Sequence, residues 1–99
     1  MTTIKKQPGE QYPVAFEYYG KLPFRTSLVS GVVSAAVVGS GADATSTVLQ
    51  SPTALIVGSQ ARVGVKGGAN GTSYKVTVVV TLSDGSTLED EFTLQVAEV

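Results

Sequence analysis

The chain has 99 residues, seven Lys or Arg against eight Asp or Glu, and neither histidine nor cysteine. That length suits one domain with one modest core, and the missing residue types exclude Ser-His-Asp and Cys-His catalysis, His-based proton transfer, disulfides and the usual zinc and haem ligation. The basic residues Lys5, Lys6, Lys21, Arg25, Arg62, Lys66 and Lys75 are scattered, which argues against a nucleic-acid footprint, and the longest apolar stretch, Leu28 to Val38, is too short and too interrupted to span a membrane.

Residues 1–11 are polar and lack the apolar centre of a signal peptide. They are expected to form an N-terminal arm ahead of a single domain over residues 12–99. Tyr12, Phe16, Tyr18, Tyr19 and Phe24 then place five of the seven aromatic residues within thirteen positions. Two roles fit such a cluster: the rings cap one end of a core, or they form a contact face for a neighbouring subunit, and different rings can do each. Pro13 and Pro23 confine the flanking backbone to an edge or non-ladder position.

From residue 28 onward Val and Thr dominate and no helix-period stripe occurs, so the chain reads as all-β. Leu28 to Val38 is a long strand of mixed apolar character, and Gly39-Ser40-Gly41 a loop. Asp43 to Leu49, polar until its last two residues, is an edge strand at best. Ala54 to Val57 and Ala61 to Lys66 are short strands, and Gly67-Gly68-Ala69-Asn70-Gly71 is a loop. A strand follows this glycine-rich segment where phosphate cradling would need a helix N-terminus. Tyr74, just after it, sits where immunoglobulin-type sandwiches place a tyrosine whose hydroxyl bonds backbone at the turn.

The clearest alternation is Tyr74, Val76, Val78, Val80 and Leu82 on one face, followed by Leu88, Phe92, Leu94 and Val96. A two-residue Asp-Gly turn between these strands would put Glu89 and Glu91 beside the valines and Phe92 in solvent. A three-residue loop, Ser83-Asp84-Gly85, instead pairs Leu82 with Ser86, Val80 with Leu88, Val76 with Phe92 and Tyr74 with Leu94. Only Asp90 then faces inward, so a rim or a bulge is expected there. Glu89 and Glu91 share the solvated outer face, where charge discourages edge pairing. Turn signals every 8 to 12 residues between short strands are the sandwich pattern. The expected fold is an immunoglobulin-like antiparallel β-sandwich of about seven strands with an extended N-terminal segment, needing no cofactor and holding no metal.

Three stretches carry a family likeness: Lys6-Gln7-Pro8-Gly9-Glu10, Leu55-Ile56-Val57-Gly58-Ser59, and the run from Gly67 to Thr77 with its partner Phe92-Thr93-Leu94-Gln95-Val96. With these the chain resembles small immunoglobulin-like virion structural proteins of tailed bacteriophages. The resemblance implies a non-enzymatic protein located in the virion, decorating or cementing the capsid as a symmetric homo-oligomer, with the major capsid protein among its partners. Head-tail connector and tail or fibre component are the alternatives in the same class. A carbohydrate-binding or adhesion module is the alternative outside it, disfavoured because the loops at 39–42 and 67–73 carry no aromatic platform. Starting at Met and stopping just after a strand, the chain is expected to be a complete small protein.

Overall fold

Alternation of apolar and polar side chains makes a strand with one buried face, and here seven such strands fold onto one another. The computed structural model describes residues 2–18, 20, 22 and 26–98. In chain order the elements are β1 (Thr2–Lys6), β2 (Tyr12–Glu17), β3 (Leu28–Val37), α1 (Thr45–Val48), β4 (Leu55–Val57), β5 (Gln60–Val65), β6 (Thr72–Leu82) and β7 (Thr87–Val96). One sheet has the order β1-β7-β6-β3 and the other β2-β5-β4. Every pairing is antiparallel except β1 with β7, which is parallel. The second, fifth and fourth strands in one sheet and the third, sixth and seventh in the other is the immunoglobulin arrangement, with the first strand lying beside the seventh.

The inner faces supply the core. Tyr74, Val76, Val78, Val80 and Leu82 of β6, Phe92, Leu94 and Val96 of β7, and Val33 and Ala35 of β3 meet Ala61, Val63 and Val65 of β5, all buried. Each large side chain removed from water in this way is worth about 1.5 to 3 kcal/mol. The β6–β7 register is the one with the three-residue loop: Val80 lies opposite Leu88, Val76 opposite Phe92 and Tyr74 opposite Leu94. The Leu82 N–H donates to the Ser86 carbonyl at 2.8 Å, and Gly85 takes φ +89° as that loop demands. Asp90, opposite Val78, is half-buried, and its carboxylate accepts the N–H of Glu91 at 2.9 Å. At the head of β6 the Tyr74 hydroxyl accepts the Ala69 N–H at 2.9 Å, tying the glycine-rich loop to the strand.

Two segments differ from the sequence reading. Asp43 to Leu49, expected as an edge strand at best, contains the single helical turn α1. The Asp43 carboxylate accepts the Thr45 N–H at 3.2 Å and the Thr45 hydroxyl at 2.7 Å, a local bond that starts a turn in competition with a strand. The turn brings Ala44, Val48 and Leu49 into the core, and backbone bonds to both sheets, Ala44 N–H to Ala35 O and Lys66 N–H to Val48 O, both 2.8 Å, hold it.

The other segment is the N-terminal arm. Thr2–Lys6 is not free of the domain but is a strand of the four-stranded sheet. Ile4 packs against the core, and the Ala97 N–H donates to the Lys6 carbonyl at 2.9 Å. Lys6 points inward and is buried, and its ammonium donates to the carbonyls of Gly67 at 2.6 Å and Gln7 at 2.7 Å. Burial lowers its pKa, partly offset by the Glu10 carboxylate. A charged side chain closing the end of a sandwich is an inward anchor that the polar composition of residues 1–11 does not reveal.

Candidate interaction surface

Side chains of the opposite parity define what the sandwich shows to its surroundings. On the outer face of the four-stranded sheet Ser30, Val32 and Ser34 of β3 stand opposite Thr81, Val79 and Thr77 of β6. Val32 is 62% exposed, Val29 58% and Val79 36%. On the outer face of the three-stranded sheet Leu55 and Val57 of β4 stand opposite Arg62 and Gln60 of β5, and Leu55 is 64% exposed. Among the described residues, all but one of the large exposed hydrophobic side chains come from β3, β4 or the turn after β3, and the exception, Val79, is the direct partner of Val32.

The sequence carries a signal for this surface that residue-by-residue reasoning missed. Between Thr26 and Ala61 the only charged residue is Asp43. That stretch folds into β3, α1 and β4, which adjoin along one side of the sandwich, Val32 bridging to Thr53. The interface cores of proteins are depleted of charge in this way, and contiguous exposed apolar surface marks contact sites.

The side is built for side-chain contact. The outer edge of β3 is already occupied by its own chain: Val33 N–H donates to Pro52 O at 2.8 Å, Ala54 N–H to Gly31 O at 2.9 Å, and Val37 N–H to Ala42 O at 2.8 Å. No strand can be added there.

The aromatic residues singled out by the sequence occupy a different region. Tyr12 and Phe16 lie opposite Val65 and Ala61 on the inward parity of β2, half-buried, and the Phe16 ring tilts against Phe92 with centroids 5.5 Å apart. The Tyr12 hydroxyl donates to the Lys5 carbonyl at 3.4 Å. Tyr18, 1% exposed, is inside the core. Tyr19 and Phe24 lie outside the described residues. Pro13 is on an edge strand, as its missing N–H requires.

Tyr18 yields a pH prediction. Burial, reinforced by the Asp90 carboxylate, pushes its phenol from the ordinary 10.0 up to about 12. The folded chain then holds this proton more tightly than the unfolded one, so the stability involved is fully present below about pH 10 and is lost as pH rises towards 12. Thermal midpoints of the parent chain and Tyr18→Phe, followed through this alkaline range, should show the parent falling more steeply, because only the parent loses that share. Parallel decline of the two would mean that the phenol ionises without cost.

A cleft of about 300 Å³ opens at the end of β1, lined by Lys5, Lys6, Glu10 and Gln95 among others. Lys6, at its base, already spends its ammonium on carbonyls. Among the described residues no group of three or more His, Cys, Asp or Glu converges as a metal site, and no helix is long and apolar enough to cross a membrane.

The sandwich thus presents a charge-poor side whose exposed aliphatic residues suit contact with another protein. The chain belongs to the family described as podophage GP4 fiber-tail adaptor protein gp77, whose model matches residues 6–95. It is thus a structural protein of a phage virion. No curated protein matches it.

Proposed function

We propose that the chain is a non-enzymatic adaptor that joins fibre to tail in a podophage particle, and that the exposed Leu55 and Val57 of the charge-poor side form part of the joint. The family match carries the reading, and its description supports the tail or fibre alternative over capsid decoration and over the major capsid protein as partner. An adaptor of this kind needs a rigid body and apolar surface left over after its own core is filled. Here β3, β5, β6 and β7 fill the core, while Leu55 and Val57 stay outside it. Through these exposed side chains the partner is held by buried area and shape, at about 25 cal/mol per Å² of apolar surface.

The test is assembly of particles with Leu55→Asp/Val57→Asp. Fibre content per particle, read by mass spectrometry and electron microscopy, should fall at least about tenfold, since two charges in an apolar contact cost more than the roughly 1.4 kcal/mol that a tenfold change needs. The thermal midpoint should hardly move, as both positions are exposed. Particles with a full complement of fibres, or a chain found on the capsid shell, would overturn the assignment.

A further inference from the structure

We infer that Arg62 receives a side-chain carboxylate of the fibre or tail protein, in a cleft on the outer face of the three-stranded sheet that it shares with Pro13, Gln50 and Leu55. The assignment rests on the fibre-tail reading and adds the chemistry of the partner.

On that face Arg62 stands between Ala15 of β2 and Leu55 of β4, and Gly64, next on the same parity of β5, lies opposite Pro13. One cation is therefore set among short and aliphatic side chains. Gly64 leaves room that Gln50, from the segment after α1, occupies: a Cβ added at Gly64 would stand 2.1 Å from the Gln50 Oε1. The result is a cleft of about 280 Å³, lined by Pro13, Gln50, Thr53, Leu55, Arg62 and Gly64 among others. The Arg62 Nε and Nη2 donate to the Gln60 Oε1 at 3.3 and 3.2 Å, which orients the guanidinium plane. Of its five N–H groups, both on Nη1 and the second on Nη2 stay open.

The chain itself supplies no counter-charge for these donors. No residue lining the cleft is acidic, and among the described residues the ion pair is Lys75 with Glu91, on the other sheet. Glu17, the acid on the strands of this face, lies beyond Ala15 opposite Gln60 and accepts the Ser59 hydroxyl. A planar fork with open N–H groups matches the two oxygens of a carboxylate. Because Arg62 is also the only basic residue on the strands of this face, it suits one Asp or Glu and not the row of phosphates of a nucleic acid. Leu55, 64% exposed beside it, completes the fit. A partner that covers Leu55 also excludes water from the pair, and a charge-assisted hydrogen bond gains strength when water is excluded. Apolar contact alone has little directionality, so the paired charge sets the register of the partner on the sheet.

Particles assembled with the full chain changed at Arg62 test the inference. Arg62→Glu should lower fibre content per particle at least about tenfold, since it sets like charges against each other in the contact, while the thermal midpoint of the purified variant hardly moves at this exposed position. Arg62→Lys keeps the charge and provides an amine that a water-soluble carbodiimide condenses with a carboxylate in contact with it. Peptide mass spectrometry of the treated particles should find position 62 joined to an Asp or Glu of a fibre or tail protein, a result that stands even if Arg62→Glu does not fold. A full complement of fibres with folded Arg62→Glu, no cross-link at position 62, or cross-links there only to carboxylates of this chain, its own or another copy's, overturns the proposal. Loss of fibres with Leu55→Asp/Val57→Asp but not with Arg62→Glu removes the carboxylate and leaves the fibre-tail reading standing. A cross-link to a shell protein does the reverse, keeping the carboxylate site and overturning the fibre-tail reading.

Discussion

Phe92→Ala is expected to destabilise the fold by roughly 3 to 5 kcal/mol, the cost of emptying a packed aromatic site. The ring is 1% exposed, sits opposite Val76 in the β6–β7 pair and leans on Phe16 across the gap between the sheets. Two strands of one sheet and an edge strand of the other therefore lose a shared contact at once. Against a typical total stability of about 5 to 15 kcal/mol, that loss should move the urea midpoint far to the left and leave part of the population unfolded at 37 °C. The neighbouring Glu91→Ala is the control. Its side chain is on the outer face and only pairs with a half-exposed Lys75, so its cost should stay below about 0.5 kcal/mol. Were the two costs reversed, Glu91 would be the inward residue and the β6–β7 turn would have two residues.

Gly68→Ala should cost roughly 2 to 6 kcal/mol for two reasons that add. The backbone there has φ +95°, where an L side chain is strained by about 1 to 3 kcal/mol. In addition, a Cβ would stand 2.7 Å from a methyl of Val96 and 3.3 Å from the Tyr74 ring, an overpacking worth about 1 to 3 kcal/mol. The shift needed to relieve it would pull on the Ala69–Tyr74 bond on one side and the Gly67–Lys6 bond on the other. Gly71→Ala separates the two effects: φ is +83° but a Cβ meets nothing within 4 Å, so only strain of about 1 to 2 kcal/mol remains. Thermal unfolding of both variants measures the difference. Equal costs would mean that Val96 and Tyr74 yield without penalty.

The candidate surface was half legible. Its chemical signature, a single charge between Thr26 and Ala61, is in the sequence, yet charge absence also describes a core strand. Of the aromatic cluster, Tyr12 and Phe16 face the core and Tyr18 lies within it. Aliphatic side chains that stay outside look the same on paper as those that go in.

The part of the fold that can be read from the residues alone is the part in which local pattern and burial agree. In β6 and β7 one parity is apolar and the other polar, and only the loop with Gly85 in a left-handed conformation keeps both apolar parities on one face, so register, turn and buried Phe92 follow from residues 74–96 alone. Tyr74 belongs with these, because a tyrosine just after a glycine-rich loop has backbone within reach. The rest depends on contacts between distant segments. In Leu28–Val37 both parities are apolar, so nothing local says that Val33 goes in and Val32 stays out; pairing with β6 settles it. The turn at Thr45–Val48 depends on two sheets already being present to receive Val48 and Leu49. The polar segment Thr2–Lys6 becomes a strand only because β7 has an unpaired edge and the Gly67 and Gln7 carbonyls await an ammonium. A strand edge and a carbonyl are backbone features common to every sequence, and where they are left unsatisfied is known only once the chain has folded.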